Sequence, residues 1–390
     1  MELKEYAISD IASLKYGKML AKGKFTDSGH PVFSGYRITG YTSEYLYEEP
    51  EVIVVARGVG GTGDVKISPP KSWVTNLSIV LSVDTKLVDK FFFKEFLHAE
   101  NLKSKLDSGA SISQITINSL ESYKVKLPDI SFQKSVRDVL IKYDKLIENN
   151  NRRIAILEDM AQSLYREWFV NFRYPNHEDN LDADGNVKLV YSLLGLIPEG
   201  WEVKRLDEVT EYINRGIAPK YSDDSNALVI NQKCIRDYKL NINLARTHIK
   251  KVPDVKYIKY GDVLVNSTGV GTLGRVAQVL FEPLNITVDT HVTILRVNSC
   301  IPFEFWGICM EINQSHFERL GEGATGQTEL KRVLINEMKI LVPTKDLLSK
   351  FSSTVREIRM QIPLLMKKNN NLKKQRDMLL PKLISGQIEL

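Results

Sequence analysis

The chain has 390 residues, 43% of them hydrophobic and 26% charged, with a net charge of +5, which suits an ordinary soluble protein of two or three domains. No apolar run approaches the ~18 residues of a membrane span, and Met1-Glu2-Leu3-Lys4-Glu5 lacks the apolar core of a signal peptide. Cys234, Cys300 and Cys309 are odd in number and form no C-x-x-C pair, which points to a reducing cytoplasm without disulfides or structural zinc.

Residues 1–130 read as a first domain. It opens on Glu5-Tyr6-Ala7-Ile8-Ser9-Asp10-Ile11, continues in short alternating segments such as Val52-Ile53-Val54-Val55-Ala56, and turns at Gly58-Val59-Gly60-Gly61-Thr62-Gly63. A helix is expected near Phe91–Leu106, then a closing strand Tyr123-Lys124-Val125-Lys126-Leu127-Pro128.

Residues 131–173 read as a long helix. Val136, Leu140, Tyr143, Ile147, Asn150, Ile154, Leu157, Ala161, Leu164 and Trp168 fall at alternating steps of four and three, a heptad seam with one strongly polar position. A helix of this length spans roughly 60 Å at ~1.5 Å per residue, and such a seam needs a partner. Residues 174–200 are acidic and turn-rich and read as an exposed connection.

Residues 201–345 repeat the first domain. Val203-Lys204-Arg205-Leu206-Asp207-Glu208-Val209 answers the opening segment, and Asp262-Val263-Leu264-Val265-Asn266 answers Val52–Ala56. The glycine loop Gly269-Val270-Gly271-Thr272-Leu273-Gly274 follows. From Trp73 to Ala110 the copies run at a constant offset of 214 residues, so that Val74 faces Val288 and Phe91 faces Phe305. A helix is expected near Glu304–Leu320. Residues 346–390 are the second long helix, with Phe351, Val355, Ile358, Ile362, Leu365, Asn369, Leu372, Leu379 and Leu383 on its seam and Arg376 the one charged intrusion. Residues 344–390 hold ten Lys and Arg against four Asp and Glu, whereas residues 129–200 hold nine against twelve. A basic helix beside an acidic one suits pairing, and equally a solvated face or a surface for a polyanion. The expected fold is α+β: two homologous, mixed, mostly β domains separated by two long antiparallel coiled-coil helices, with a pseudo-two-fold internal repeat. Asn150 and Asn369 sit at the midpoints of the two seams and are expected to face each other and fix the register.

Both glycine loops match G-x-G-x-x-G. A dinucleotide fingerprint needs a helix directly afterwards, and here alternating, strand-like residues follow, so these are strand–loop–strand turns in which glycine lets backbone approach another surface. Ser68-Pro69-Pro70-Lys71 is similar to the motif of amino-methyltransferases, but a lysine stands where the aromatic should be. There is no G-x-x-x-x-G-K-[ST] loop, and His30, His98, His177, His248, His291 and His316 show no metal-ligand spacing. No catalytic centre and no metal site is expected. The loops instead carry polar and basic side chains of the kinds that read base edges and hold phosphates. In the first domain these are Arg57, Thr62, Lys66, Lys71, Thr75 and Asn76. In the second they are Asn266, Ser267, Thr268, Thr272, Arg275, Thr290, His291, Gln327, Lys331 and Arg332.

Several segments, in order, resemble the DNA specificity (S) subunits of type I restriction-modification systems. They are Trp168-Phe169-Val170-Asn171-Phe172, Leu196-Ile197-Pro198-Glu199-Gly200-Trp201, Asn266–Arg275, Gly323-Ala324-Thr325-Gly326-Gln327 and the ending Leu379–Gly386. The first domain departs from the pattern, with Ala56-Arg57-Gly58 where the second has Asn266-Ser267-Thr268 and Asn76-Leu77 where it has Thr290-His291. The resemblance implies a non-catalytic adaptor with no cofactor of its own. Its two target-recognition domains would each read part of a bipartite, asymmetric site in double-stranded DNA, and its helices would set the spacing. Two methylation subunits carrying S-adenosylmethionine would dock on it, joined in restricting systems by two motor-nuclease subunits using ATP and Mg²⁺. Two other classes stay open on the residues alone: a free-standing DNA methyltransferase, and a coiled-coil scaffold whose β domains bind protein.

Overall fold

In the computed structural model, residues 2–35, 37–58, 61–107, 113–182, 184–185, 187–321, 328–384 and 387–388 are described. They form two compact units, residues 1–149 with 369–390 and residues 150–368.

The first unit opens with β1 (Lys4–Ala7), which pairs with the closing strand β9 (Lys124–Leu127), Lys4 opposite Leu127. Between them lie α1 (Ile8–Ile11), β2 (Ala12–Tyr16), β3 (His30–Ser34), β4 (Arg37–Thr42), β5 (Val52–Val55), β6 (Val65–Ile67), β7 (Trp73–Val74) and β8 (Ser78–Val83). One antiparallel sheet runs β2-β8-β5-β6 and a second runs β4-β3-β7, with β3 and β7 parallel. The helix expected near Phe91–Leu106 is two helices, α2 (Lys90–Ala99) and α3 (Leu102–Leu106), broken at Asn101 with φ +50. After α4 (Ile117–Glu121), the long helix α5 (Ile130–Phe169) begins at Pro128-Asp129. The Asp129 carboxylate accepts the N–H groups of Ser131 and Phe132, as a helix start requires. Bonding to the Ser131 hydroxyl, more than these N–H groups, holds that carboxyl below its ordinary range.

The second unit holds the other copy. Residues 174–200, expected as an exposed connection, include the hairpin β10 (Leu189–Ser192) and β11 (Gly195–Pro198). Then come β12 (Glu202–Arg205), α6 (Leu206–Val209), β13 (Thr210–Arg215), β14 (Leu228–Ile230), β15 (Ile235–Arg236), β16 (Lys239–Leu240), β17 (Arg246–Thr247), β18 (Val263–Asn266), β19 (Val276–Gln278), β20 (Ile286–Val288) and β21 (Val292–Val297). The helices α7 (Phe303–Ile312), α8 (Gln314–Arg319) and α9 (Arg332–Glu337) lead to β22 (Lys339–Val342) and the second long helix α10 (Lys345–Ile384). The sheets β13-β21-β18-β19 and β17-β14-β20 and the pair β12-β22 reproduce the first unit strand for strand, including the parallel pair β14 and β20. The repeat read from the sequence is a repeat of topology.

Each unit packs part of one long helix against part of the other, antiparallel. In the first, Arg376 meets Asp144 at 2.5 Å and Asn369 meets Ile147, so rising numbers on α5 meet falling numbers on α10. There the seam residues Val136, Leu140 and Leu383 join the core formed by Phe92, Phe93 and Phe96 of α2. In the second, Ile154, Ile362 and Leu365 form a cluster of helix residues alone. Further along, Trp168 and Phe169 enter the domain core, with Phe169 4.8 Å from Phe351, 5.1 Å from Phe305 and 5.8 Å from Trp201 between ring centroids. The two segments Trp168–Phe172 and Leu196–Trp201 therefore pack on each other. The helices pair antiparallel as expected, and at its ends the seam is also domain core. Aromatic residues at those positions bury far more area than a heptad knob needs. The helix α10 runs through Pro363. Among the described residues no helix is long and apolar enough to cross a membrane.

Candidate nucleic-acid interface

The two glycine loops join β5 to β6 and β18 to β19, strand to strand as expected. The last glycine of each has a positive φ, +87 at Gly63 and +80 at Gly274. A Cβ on Gly63 would lie 2.7 Å from the Lys103 nitrogen, and one on Gly274 would lie 2.6 Å from the Glu318 nitrogen. The surface that the glycines allow the loop to approach is thus the helix after the break, α3 in one repeat and α8 in the other. Beside the second loop opens a cleft of about 350 Å³ lined by Gly269, Gly271, Leu273, Glu318, Gly321 and Thr328.

The hydrogen bonds set the residue correspondence between repeats. Ile115 donates its N–H to the Ala56 carbonyl, and Leu330 donates to that of Ser267. Arg57 bridges Gln114 and Thr268 bridges Glu329. Ala56 therefore corresponds to Ser267 and Arg57 to Thr268, one residue away from the sequence alignment, which set Ala56 against Asn266. In a strand a slip of one residue exchanges the two faces, so the correction changes which side chains are comparable.

In the second repeat the structure brings together Asn266, Ser267, Thr268, Thr272, Arg275 and His291. Asn266 is fully buried and its amide donates to the carbonyls of Gln232 and Thr272, each at 3.1 Å. Ser267 is also fully buried, its hydroxyl 2.6 Å from that of Thr293. These two side chains are turned inward and hold the loop from inside in this conformation. The Thr268 hydroxyl lies 2.7 Å from His291 Nδ1, and the Thr272 hydroxyl donates to the Thr268 carbonyl. Arg275 folds back to donate to the Gly271 carbonyl at 2.6 Å. The His291 N–H donates to the buried Asp289 carboxylate at 2.8 Å. Burial raises the Asp289 carboxyl above its ordinary range, against that bond. Thr290 and His291 are exposed on the turn before β21, and Lys331 and Arg332 are exposed at the start of α9. Gln327, with the whole segment Gly323–Gln327, lies outside the described residues.

In the first repeat the candidates are more scattered. Arg57 is exposed beside Leu77, whose carbonyl accepts the Arg57 N–H. Asn76, next to it, is half-buried. Thr62 is buried and its hydroxyl reaches the carbonyls of Gly58 and Ser113, and Thr75 is buried with its hydroxyl 3.0 Å from that of Ser34. Those two side chains are turned inward in the same way as Asn266 and Ser267. Lys66 lies half-buried on β6, and Lys71 is exposed in the turn before β7 with φ +48. Gln232 was missed by sequence reasoning. Its carbonyl accepts from Asn266, and its side-chain oxygen lies 3.4 Å from the Thr268 hydroxyl. Nothing local marks it, because its partners lie 34 and 36 residues away. No group of three or more His, Cys, Asp or Glu that could hold a metal occurs among the described residues.

The family model described as "Type I restriction modification DNA specificity domain" matches residues 1–159. The type I restriction enzyme MjaIX specificity subunit of Methanocaldococcus jannaschii is 26% identical over 316 residues, 77% of this chain and 68% of that protein. The HindI specificity subunit of Haemophilus influenzae is 22% identical over 339 residues, 70% of this chain and 71% of that protein. Among solved structures, the S subunit of a type I restriction-modification system from M. genitalium has the same fold, with a TM-score of 0.61 at 18% identity over 98% of this chain and 96% of that one. The chain resembles type I specificity subunits in its first domain, in its sequence and in its fold.

Proposed function

We propose that this chain is the specificity subunit of a type I restriction-modification system, the component that recognises a DNA sequence and directs the other subunits to it. The observation that carries this reading is duplication with divergence. One strand scaffold is built twice, and the surface positions around its glycine loops carry different side chains in the two copies, as two readers of unlike half-sites require. The match of residues 1–159 to a DNA specificity domain supports the same reading. Residues 1–130 and 201–345 would each recognise a few base pairs through Arg57, Asn76, Arg275, Thr290, His291 and their neighbours. The long helices would set the number of unread base pairs, each ~3.4 Å along the duplex. The chain itself would bind no cofactor and carry out no chemistry. Two methylation subunits using S-adenosylmethionine, with two motor-nuclease subunits using ATP and Mg²⁺ in a restricting complex, would act on the DNA it selects, in the cytoplasm.

The test is to express the chain with its methylation partner in a host and sequence the methylated positions. The expected result is one bipartite, asymmetric motif, and exchange of residues 201–345 for the matching domain of another specificity subunit changes one half of it only. Binding to duplexes should weaken steeply with salt as phosphate contacts release counterions. No motif and no salt-dependent binding would overturn the reading in favour of a protein-binding scaffold.

A further inference from the structure

The edge strands β4 and β17 occupy the same place in the two repeats, each beside the strand that also has a parallel neighbour. Phe33 lies opposite Val74, and Ile230 opposite Val288. Stepping back one residue, Val32 faces Gly40 and Val229 faces Arg246. Gly40 and Arg246 are therefore equivalent positions. Outside the edge strand, the N–H of Thr26 donates to Tyr41 and that of Ser222 to Thr247. This makes Phe25 equivalent to Tyr221, and Thr42 equivalent to His248.

The same small site is thus built twice. Each copy has an aromatic side chain that is 41% exposed, Phe25 in one and Tyr221 in the other. Each has a buried polar side chain without a hydrogen-bond partner for one atom, the Thr42 hydroxyl at 0% exposure and His248 Nε2 at 1%. What differs is the residue across from the aromatic. In the first copy Phe25 covers Gly40, where a Cβ would come within 2.8 Å of its ring. In the second, the Arg246 guanidinium lies 3.4 Å from the centroid of the Tyr221 ring. Arg246 is exposed, and Lys220 and Lys250, beside Tyr221 and two residues beyond His248, are exposed as well.

We infer that Arg246, held over the Tyr221 ring, is a specificity-determining residue that reads a guanine edge in the half-site of the second domain, and that the first domain, with Phe25 on Gly40, makes an apolar contact at the matching position. The inference rests on the DNA-recognition reading above. A guanidinium fork matches the O6 and N7 acceptors of guanine in the major groove. Stacking on an aromatic face fixes the plane of the fork before binding, so less side-chain freedom is lost on contact. Phe25 has no donor and can make only apolar or stacking contacts, which read no hydrogen-bonding edge.

The test uses the full chain with its methylation partner and competition between duplexes differing at single base pairs, at two salt concentrations. The wild-type complex must first give a bipartite motif. Arg246→Ala then loses discrimination at one guanine of the half-site assigned to residues 201–345, by roughly 10- to 100-fold, with the other half-site unchanged. Arg246→Lys keeps the charge, loses the fork and shows the same loss, whereas Tyr221→Phe keeps the stack and the discrimination. A uniform weakening over all sequences with a shallower salt slope, restored by Arg246→Lys, would mean a phosphate contact and overturn the inference. An unchanged motif in Arg246→Ala would also overturn it while leaving the DNA-recognition reading intact. A wild-type complex with no motif at all would overturn both.

Discussion

The side-chain amide of Asn369 donates to the main-chain carbonyl of Ile147 at 3.5 Å, across 222 residues of sequence. A polar seam residue is thereby tied to a fixed level of the opposite helix. Asn150, on the other seam, is buried to the same degree, 6% exposed against 5%. Buried seam amides specify register at a cost in stability. Replacing both asparagines by leucine should stabilise the protein by roughly 1–2 kcal/mol and raise the thermal midpoint by several degrees. It should also let the complex methylate sites whose spacer is one base pair longer or shorter. Retention of strict spacer choice by the double variant would count against a register role.

The last glycine of each loop should tolerate nothing larger. Gly63→Ala and Gly274→Ala combine a positive φ with a collision against helix backbone, and each should cost about 3 kcal/mol. Gly271→Ala has the strain, at φ +69, but no atom within 4 Å, and should cost about 1 kcal/mol. Urea unfolding of the three variants gives the ranking directly.

Arg359 of α10 and Glu311 of α7 form a buried pair at 2.6 Å, each side chain 9% exposed. On the offsets of the repeat, Leu140 and Leu97 stand at these positions in the first unit, both buried. Arg359→Leu alone should cost about 3–5 kcal/mol, and adding Glu311→Leu should recover most of it. Burial raises the Glu311 carboxyl above its ordinary value of 4.5, with Arg359 opposing. A raised acid contributes stability below the unfolded pKa and loses it as pH rises through the folded one. The single Arg359→Leu variant should therefore be less destabilised near pH 4.5 than near pH 7.5. Equal destabilisation at both would show that Glu311 finds another cation.

Thiol labelling should separate the three cysteines. Cys300 is exposed, whereas Cys234 and Cys309 are buried. Burial raises the Cys234 thiol and pushes Cys309 up to about 11. The native protein at pH 8 should label at Cys300 within minutes and at the other two only as fast as it unfolds. Mass spectrometry after a timed pulse of iodoacetamide checks this, and early labelling at Cys309 would show that the helix α7 opens locally.

What the residues alone determined is the plan: two copies of one domain, two long helices with heptad seams, and glycine loops that turn between strands. Each of these is a periodic or repeated signal carried by neighbours in sequence, at steps of two, three and four residues or at a constant offset, so it survives without knowledge of the fold. Tertiary structure decided which polar loop residues face outward. Asn266, Ser267, Thr62 and Thr75 look like contact residues by type, yet all four side chains are buried and bond to neighbouring groups inside. Their partners, such as Gln232 for Asn266 and Thr293 for Ser267, come from segments remote in sequence and cannot be ranked from local pattern. The fold also decided the true correspondence of Ala56 with Ser267, because register follows from hydrogen bonds to remote segments at Ile115 and Leu330. It set Arg246 on Tyr221 as well, a stack between two residues 25 apart that only the pairing of their strands brings together.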